Sequence, residues 1–360
     1  MPTAQPASPH LVTPLPIPLT AVPLTLLASL PFLMILSRQF SVIRYYTRLG
    51  LFLGGLASCS VWGVVVSIAY GLMGRRSDSN WKVARSFHAI VAPLVGWKFR
   101  VEGEEYLTEQ QYKPAVVVGN HQTMIDILYL GKIFPKGCSI MAKKEIQYLP
   151  LLGQFMTLSN AVFINRTNRA DAVAVFAQVA KKMKDKAVSL KDVGPFGMAA
   201  DIRLYISLSF THTLHPRFSP FSSQLSLFIF PEGTRSASAT PTLLPFKKGA
   251  FHLAVAAQLP IVPIICENYA ALYSAKEKRF DSGELVIKVL PPIPTTGLTS
   301  SSADIAILVE KTRNLMLDAI EELAQRRAEV NRLKAEKHGG GVVGLEAEER
   351  TPLVSGAAEQ

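Results

Sequence analysis

The chain has 360 residues, 49% of them hydrophobic and 18% charged, with a mean hydropathy of +0.23; that length suits one good-sized domain with extensions, and that composition is too apolar for an ordinary soluble domain. A formal charge of +11 and a pI near 9.5 call for an anionic partner, and with no zinc-finger spacing or aromatic RNA-binding signature the expectation is anionic lipid, with no nucleic acid. Cys59, Cys138 and Cys266 are far apart in sequence, which gives neither a disulfide framework nor a metal site and fits a cytosol-facing protein.

Residues 1–20 are proline-rich, and 11–37 carry no charge but five prolines, Pro14, Pro16, Pro18, Pro23 and Pro31. Each proline removes a backbone donor and crowds the preceding turn, so a regular helix is not expected there. A short or kinked apolar helix is expected from about Ala21 to Ser37. A signal peptide is disfavoured because its basic first region is missing. Leu49–Met73 follows, 25 residues without a charge. At about 1.5 Å per residue this predicts a transmembrane helix. Arg38, Arg44 and Arg48 precede it and Arg75, Arg76, Lys82 and Arg85 follow, a balance that slightly favours a cytosolic C-terminal domain. The stretch "FHAIVAPLVGWKF" (87–99) predicts an interfacial segment with Trp97 and Lys98 at headgroup level.

From about residue 100 the pattern turns globular. Strands are expected at "PAVVVGN", "SIMAKK" (139–144), "AVFINR" (161–166), "LFIFPEGTR", "LPIVPIIC" and "ELVIKVLPPIP". The runs "NRADAVAVFAQVAKKMKDK" and "ADIAILVEKTRNLMLDAIEELAQRRAEVNRLKAEKH" read as helices. This alternation predicts an α/β domain with a mostly parallel central sheet flanked by helices, preceded by N-terminal hydrophobic membrane helices. Residues 191–227 show no periodicity and separate a helix from a strand, so they read as an insertion, either genuine or a retained intron. The partition that follows is 1–20, 21–75 as membrane anchor, 80–325 as the main domain, and 326–360 as the end of the last helix with a disordered tail.

The residues with chemistry sit at strand ends, where α/β proteins keep their sites. In "NHQTMID" (120–126), a carboxylate at Asp126 is placed to bond the imidazole of His121, fixing its tautomer and making its other nitrogen a general base. On its own, a histidine followed five residues later by an aspartate also fits an ordinary helix start. In "FPEGTRS" (230–236), Gly233 permits close backbone approach, Thr234 offers a hydroxyl and an amide, and Arg235 a planar fork suited to phosphate. Glu232 has two readings, holding Arg235 or binding a substrate hydroxyl. "FINR" (163–166) delivers Arg166 from a third strand end. Val262, Pro263 and Ile264 in "LPIVPII" are either channel lining or packing.

Together and in this order, these blocks resemble the glycerolipid acyltransferases, and most closely the 1-acyl-sn-glycerol-3-phosphate acyltransferases. Asn120, His121 and Asp126 match the family's N-H-x4-D block, Phe163–Arg166 its arginine block, Phe230–Ser236 its F-P-E-G-T-R-S block, and Val262–Ile264 its V-P-[IV] block. The resemblance covers roughly residues 80–320; Thr123 departs from the serine of many members. It implies a glycerol-3-phosphate acyltransferase-like fold and acyl transfer from acyl-CoA to the sn-2 hydroxyl of lysophosphatidate. It further implies His121 as base, Asp126 as its orienter, and substrate binding by Asn120, Arg166, Glu232, Gly233, Thr234, Arg235 and Lys248, with Lys247 assisting. No cofactor or metal is expected, since acyl-CoA is a substrate. Membrane lipids are expected partners, and the endoplasmic reticulum the expected membrane, with lipid droplets as a second location. Two alternatives stand: a different acceptor, such as glycerol 3-phosphate or another lysophospholipid, and a lipid-binding protein impaired by the 191–227 segment.

Overall fold

The structure, a computed structural model, describes residues 31–109, 114–192 and 226–339. Residues 31–39 are helical. Helix α1 (Ser41–Leu72) is followed by α2 (Arg76–Val95), β1 (Trp97–Glu102), α3 (Glu104–Glu109), β2 (Val116–Gly119) and α4 (Ile127–Ile133). Next come β3 (Cys138–Lys143), α5 (Leu152–Leu158), β4 (Val162–Ile164), α6 (Arg169–Asp192), β5 (Ser226–Ile229), α7 (Gly249–Ala257) and β6 (Ile261–Cys266). A short hairpin, β7 (Tyr273–Ser274) with β8 (Arg279–Phe280), leads to β9 (Gly283–Val289) and the long α8 (Ser302–Gly339).

Seven strands form one sheet in the order β1-β9-β6-β2-β5-β3-β4. Every pairing in it is parallel except β6 with β9. The central strands are buried on both faces, which explains their unbroken apolar runs. Their side chains alternate between two cores. Val117, Phe228, Val262 and Ile264 face the α1, α2 and α4 side. Val116, Leu227, Ile261 and Ile265 face the α7 and α8 side. The result is a three-layer α/β domain with the sheet in the middle.

Two expectations are corrected here. Residues 87–95 complete α2, with Phe87, Val91 and Val95 buried and Ile90 and Leu94 exposed, and Trp97 opens β1, paired with Gly283. Its ring is 2% exposed and its Nε1 donates to Asp281 O at 2.8 Å, so Trp97 is a core residue. Pro263 lies inside β6, next to Val118 of β2, and its carbonyl accepts from Leu290. Finally, the proposed 191–227 insertion overlaps the core, because Ser226 and Leu227 are buried residues of β5 paired with β3 and β2. Residues 193–225, the N-terminal 1–30 and the tail from 340 lie outside the described residues.

The apolar helix begins earlier than expected and runs for 32 residues. It is the one helix among the described residues long and apolar enough to cross a membrane. One side of it packs on the domain throughout. Tyr45 stacks on Tyr273, Phe52 meets Phe87 of α2 edge-on, and Gly63 faces Phe155 of α5. The other side leaves Leu53, Val61, Trp62, Val65, Ile68 and Leu72 exposed. An exposed apolar stripe on a helix of this length suits contact with a membrane.

A Cβ at Gly63 would lie 2.5 Å from Phe155 Cδ2. Gly63→Leu is therefore expected to force α1 off α5 at a cost of about 1–3 kcal/mol. Thermal unfolding of the detergent-purified chain should show a lower Tm, whereas Gly54→Leu, at an open position, should not.

Candidate active site

Three neighbouring strands, β6, β2 and β5, end side by side at one edge of the sheet. The segments that leave them hold the site. After β2 the chain does not enter an α-helix directly. Thr123 is extended, Met124–Asp126 form a 3₁₀ turn, and α4 starts only afterwards. Thr123 Oγ1 caps the turn by accepting the Ile125 amide at 3.1 Å. This turn swings Asp126 back under His121.

The His121 Nδ1 atom lies 2.7 Å from Asp126 Oδ2. With a carboxylate as acceptor, Nδ1 carries the proton and Nε2 presents its lone pair. The imidazole stacks on Phe230, with ring centroids 4.0 Å apart and planes 14° from parallel. Asp126 is 2% exposed. Its Oδ2 also accepts the amides of Gln122 at 2.7 Å and Thr123 at 3.2 Å. Its Oδ1 accepts the Tyr269 hydroxyl at 2.6 Å. Tyr269 OH also lies 2.8 Å from Thr123 Oγ1, so Thr123 donates to the oxygen whose proton points at Asp126. Burial first, then the Asp126 charge, push the Tyr269 phenol well above its ordinary value, so it stays a donor.

The "FPEGTR" loop is stitched directly to this pair. Glu232 Oε1 accepts the His121 amide at 2.7 Å, and its Oε2 accepts the Leu244 amide at 3.0 Å. Ser236 and Ala237 amides donate to the carbonyls of His121 and Gln122. Glu232 is 2% exposed, so neither earlier reading of it holds: it neither grips Arg235 nor faces a substrate hydroxyl. It is a buried splint between two loops. Burial pushes its carboxyl up, and the two amides pull it back.

Asn120 is likewise a splint. Its Nδ2 donates to Cys266 O and its Oδ1 accepts the Cys266 amide, both at 2.9 Å, joining the ends of β2 and β6. It is 1% exposed, and both ends of its amide bond the backbone of Cys266, which makes it a structural tie between the two strands. Val262 and Ile264 are fully buried in the core and Pro263 is buried between them. These three settle as packing, with no channel surface to offer.

The cationic residues do gather on one rim. Gly233 takes a left-handed φ of 71°, which admits glycine readily. Arg166, leaving β4, donates through Nη1 to the Gly233 carbonyl. Partial burial lowers the Arg166 guanidinium from its ordinary value, Glu145 opposes this, and the nearby Arg235 charge adds to it. Thr234, Arg235, Lys247 and Lys248 are exposed. The Lys247 amide donates to Pro231 O at 2.7 Å, and Lys248 caps α7. Two guanidiniums and two ammoniums around a glycine turn make a surface for a phosphorylated ligand.

Sequence reasoning missed Tyr269 and Gln122. Gln122 Nε2 donates to Cys266 O and Glu267 O, and its Oε1 accepts the Tyr269 amide. It thereby holds the turn that carries Tyr269. No local pattern signalled either residue, because both act only across the sheet edge.

A parallel α/β domain with an oriented imidazole at the carboxyl edge of its sheet and a phosphate-suited basic rim beside it defines a group-transfer enzyme. A family model described as acyltransferase matches residues 98–267. The 1-acyl-sn-glycerol-3-phosphate acyltransferase of Saccharomyces cerevisiae is 34% identical over 78% of this chain and 78% of its own length. The human 1-acyl-sn-glycerol-3-phosphate acyltransferase alpha is 32% identical over 78% of this chain and 83% of its own. The crystal structure of the 1-acyl-sn-glycerophosphate acyltransferase of Thermotoga maritima shares the fold, with a TM-score of 0.54 at 22% identity over 78% of this chain and 98% of that one. The chain belongs to the acyltransferase family.

Tyr269→Phe removes one donor from Asp126 and leaves the packing intact. A hydrogen bond to a charged group contributes about 1.5–3 kcal/mol, so kcat is expected to fall at least about tenfold with KM nearly unchanged. An unchanged kcat, or a change confined to KM, would reduce Tyr269 to a packing residue.

Proposed function

We propose that this acyltransferase moves a fatty acyl group from acyl-CoA to the sn-2 hydroxyl of lysophosphatidate, giving phosphatidate and free CoA. The observation that carries the reading is the His121–Asp126 pair set beside the Arg166–Arg235 rim. The printed names of the yeast and human relatives supply the acceptor. His121 Nε2 takes the proton of the acceptor hydroxyl as its oxygen attacks the thioester carbonyl. The C–S bond then breaks, and the imidazolium returns the proton to the departing thiolate. Asp126 keeps the ring in its working tautomer and supports its transient charge. Arg235 and Arg166 hold the acceptor's phosphate, and binding there aligns a hydroxyl some bonds away. Lys247 and Lys248 extend the basic rim toward the acceptor's phosphate or those of CoA.

The direct attack needs no acyl-enzyme, since neither motif brings a serine or cysteine nucleophile to Nε2. Both acceptor and acyl chain are lipids, which suits an active domain resting against the apolar face of α1. The same reading places the enzyme on the endoplasmic reticulum, with its catalytic domain on the cytosolic side.

Two variants test it. His121→Ala should lower acyl transfer by about 10²–10⁴-fold at a temperature where the chain stays folded, with a lower Tm as well because buried Asp126 loses its ring donor. CoA release measured with lysophosphatidate as acceptor reads this directly, and retention of a tenth of the activity would remove His121 as the base. Arg235→Ala should raise KM for lysophosphatidate more than for acyl-CoA. The reverse pattern would assign Arg235 to the CoA phosphates, and equal turnover of glycerol 3-phosphate would overturn the acceptor.

A further inference from the structure

A second basic recess lies at the N-terminal end of α1, lined by residues other than those of the catalytic rim. Ser37, Arg38, Arg44, Arg48, Asp281 and Ser282 line an open depression of about 380 Å³. Arg44 Nε donates to Asp281 Oδ1 at 2.7 Å, and its Nη1 to Ser37 O at 3.1 Å. Arg48 Nη1 donates to Phe280 O at 2.8 Å, and its Nη2 to Ser282 Oγ at 2.9 Å. These contacts clamp α1 onto the β7–β8 hairpin, and that is their structural role.

The clamp does not account for the charge. Three guanidiniums face one carboxylate, which leaves two positive charges in the recess. Arg44 and Arg48 are also one helical turn apart on α1, a like-charge spacing that disfavours the helix. Each guanidinium has five N–H donors, so both clamped forks keep donors free, while their planes are already fixed by the protein. Arg38 is exposed at the mouth and takes no part in the clamp contacts. Fixed forks lose little freedom on meeting a ligand, and their planar geometry matches phosphate oxygens.

The surroundings point to the depth of lipid headgroups. Lys278 Nζ lies 5.5 Å from the Tyr45 ring centroid and 5.9 Å from that of Tyr46. Tyrosines with basic residues mark the boundary between water and hydrocarbon. Immediately beyond Arg48 begins the uncharged run Leu49–Met73, whose outward face exposes Leu53, Val61, Trp62 and Val65. A cationic recess at the end of such a face meets the phosphates of the leaflet that the face contacts.

We propose that this recess is a second phosphate site, which receives the headgroup phosphate of an anionic membrane lipid beside α1. The lipid seals the excess charge of Arg38, Arg44 and Arg48 and fixes the depth at which the domain rides. Free inorganic phosphate offers the same oxygens, but it does not exploit the adjoining apolar and aromatic surface. The proposal stands independently of the acceptor assigned above, because its readout is binding.

The test uses the full chain in dodecyl maltoside, with thermal unfolding followed as phosphatidylglycerol, phosphatidylcholine or inorganic phosphate is added at constant ionic strength. Phosphatidylglycerol is expected to raise the Tm, and the concentration dependence gives an apparent Kd. Arg38→Gln, outside the clamp, should weaken that Kd about fivefold. Lys311→Gln, the same charge change on exposed α8, should leave it unchanged. Asp281→Asn removes the one negative charge and should tighten it. Equal weakening by Arg38→Gln and Lys311→Gln would show diffuse surface attraction and overturn the site. Stabilisation by inorganic phosphate that Arg38→Gln abolishes, with no preference for phosphatidylglycerol, would overturn the lipid as occupant.

Discussion

A single buried carboxylate organises the active edge of this protein. Asp126 receives four donors: the His121 ring, the Gln122 and Thr123 amides, and the Tyr269 hydroxyl. An ionised group taken out of water at this depth is tolerable only when nearly all its lone pairs are engaged. Those four donors come from the β2–α4 turn and from the segment after β6. Satisfying one charge therefore fixes the geometry of both. The imidazole is held at its edge by Asp126 and on its face by the ring of Phe230.

Around that carboxylate, the protein spends its other buried polar groups on joining loops. Asn120 ties the end of β2 to that of β6, and Glu232 ties the "FPEGTR" turn to His121 and Leu244. Loops at a sheet edge have no ladder of their own, so side chains must supply the backbone partners that strands would otherwise provide. The exposed cations can then stay free for a ligand. Burial separates the roles: the saturated, inaccessible groups build the frame, and the ones at the rim are left for substrate.

The membrane side follows a similar division. One stripe of α1 is matched to Phe87, Phe155 and Tyr273, while the opposite stripe stays apolar and uncovered. The Arg44 and Arg48 clamp reaches the hairpin whose Asp281 carbonyl also holds Trp97, and Trp97 packs on Tyr269 with ring centroids 5.2 Å apart. The helix that contacts lipid and the tyrosine that supports Asp126 are thus parts of one packed body. At the far side, the buried Glu267 carboxylate is gripped by the Arg327 fork at 2.5 and 2.6 Å, docking α8 behind β6.

The sequence by itself determined the alternation of buried strands and helices, because continuous apolar runs such as "VVVG" and "IVPIIC" report burial on both faces. It also placed His121, Asp126, Arg166 and Arg235 in the segments that leave strand ends, since each lies within a few residues after a strand. It misread "VGWKF" as interfacial: an amphipathic aromatic and a lysine look alike at a membrane surface and at the start of an edge strand, and only pairing with β9 separates them. It likewise left Asn120 and Glu232 among the substrate contacts. A polar side chain carries no sign in one dimension of whether it will meet a ligand or a distant backbone amide. That choice, and the recruitment of Tyr269 to Asp126 across 143 positions of chain, was made only when the parallel order of β6, β2 and β5 brought their ends together.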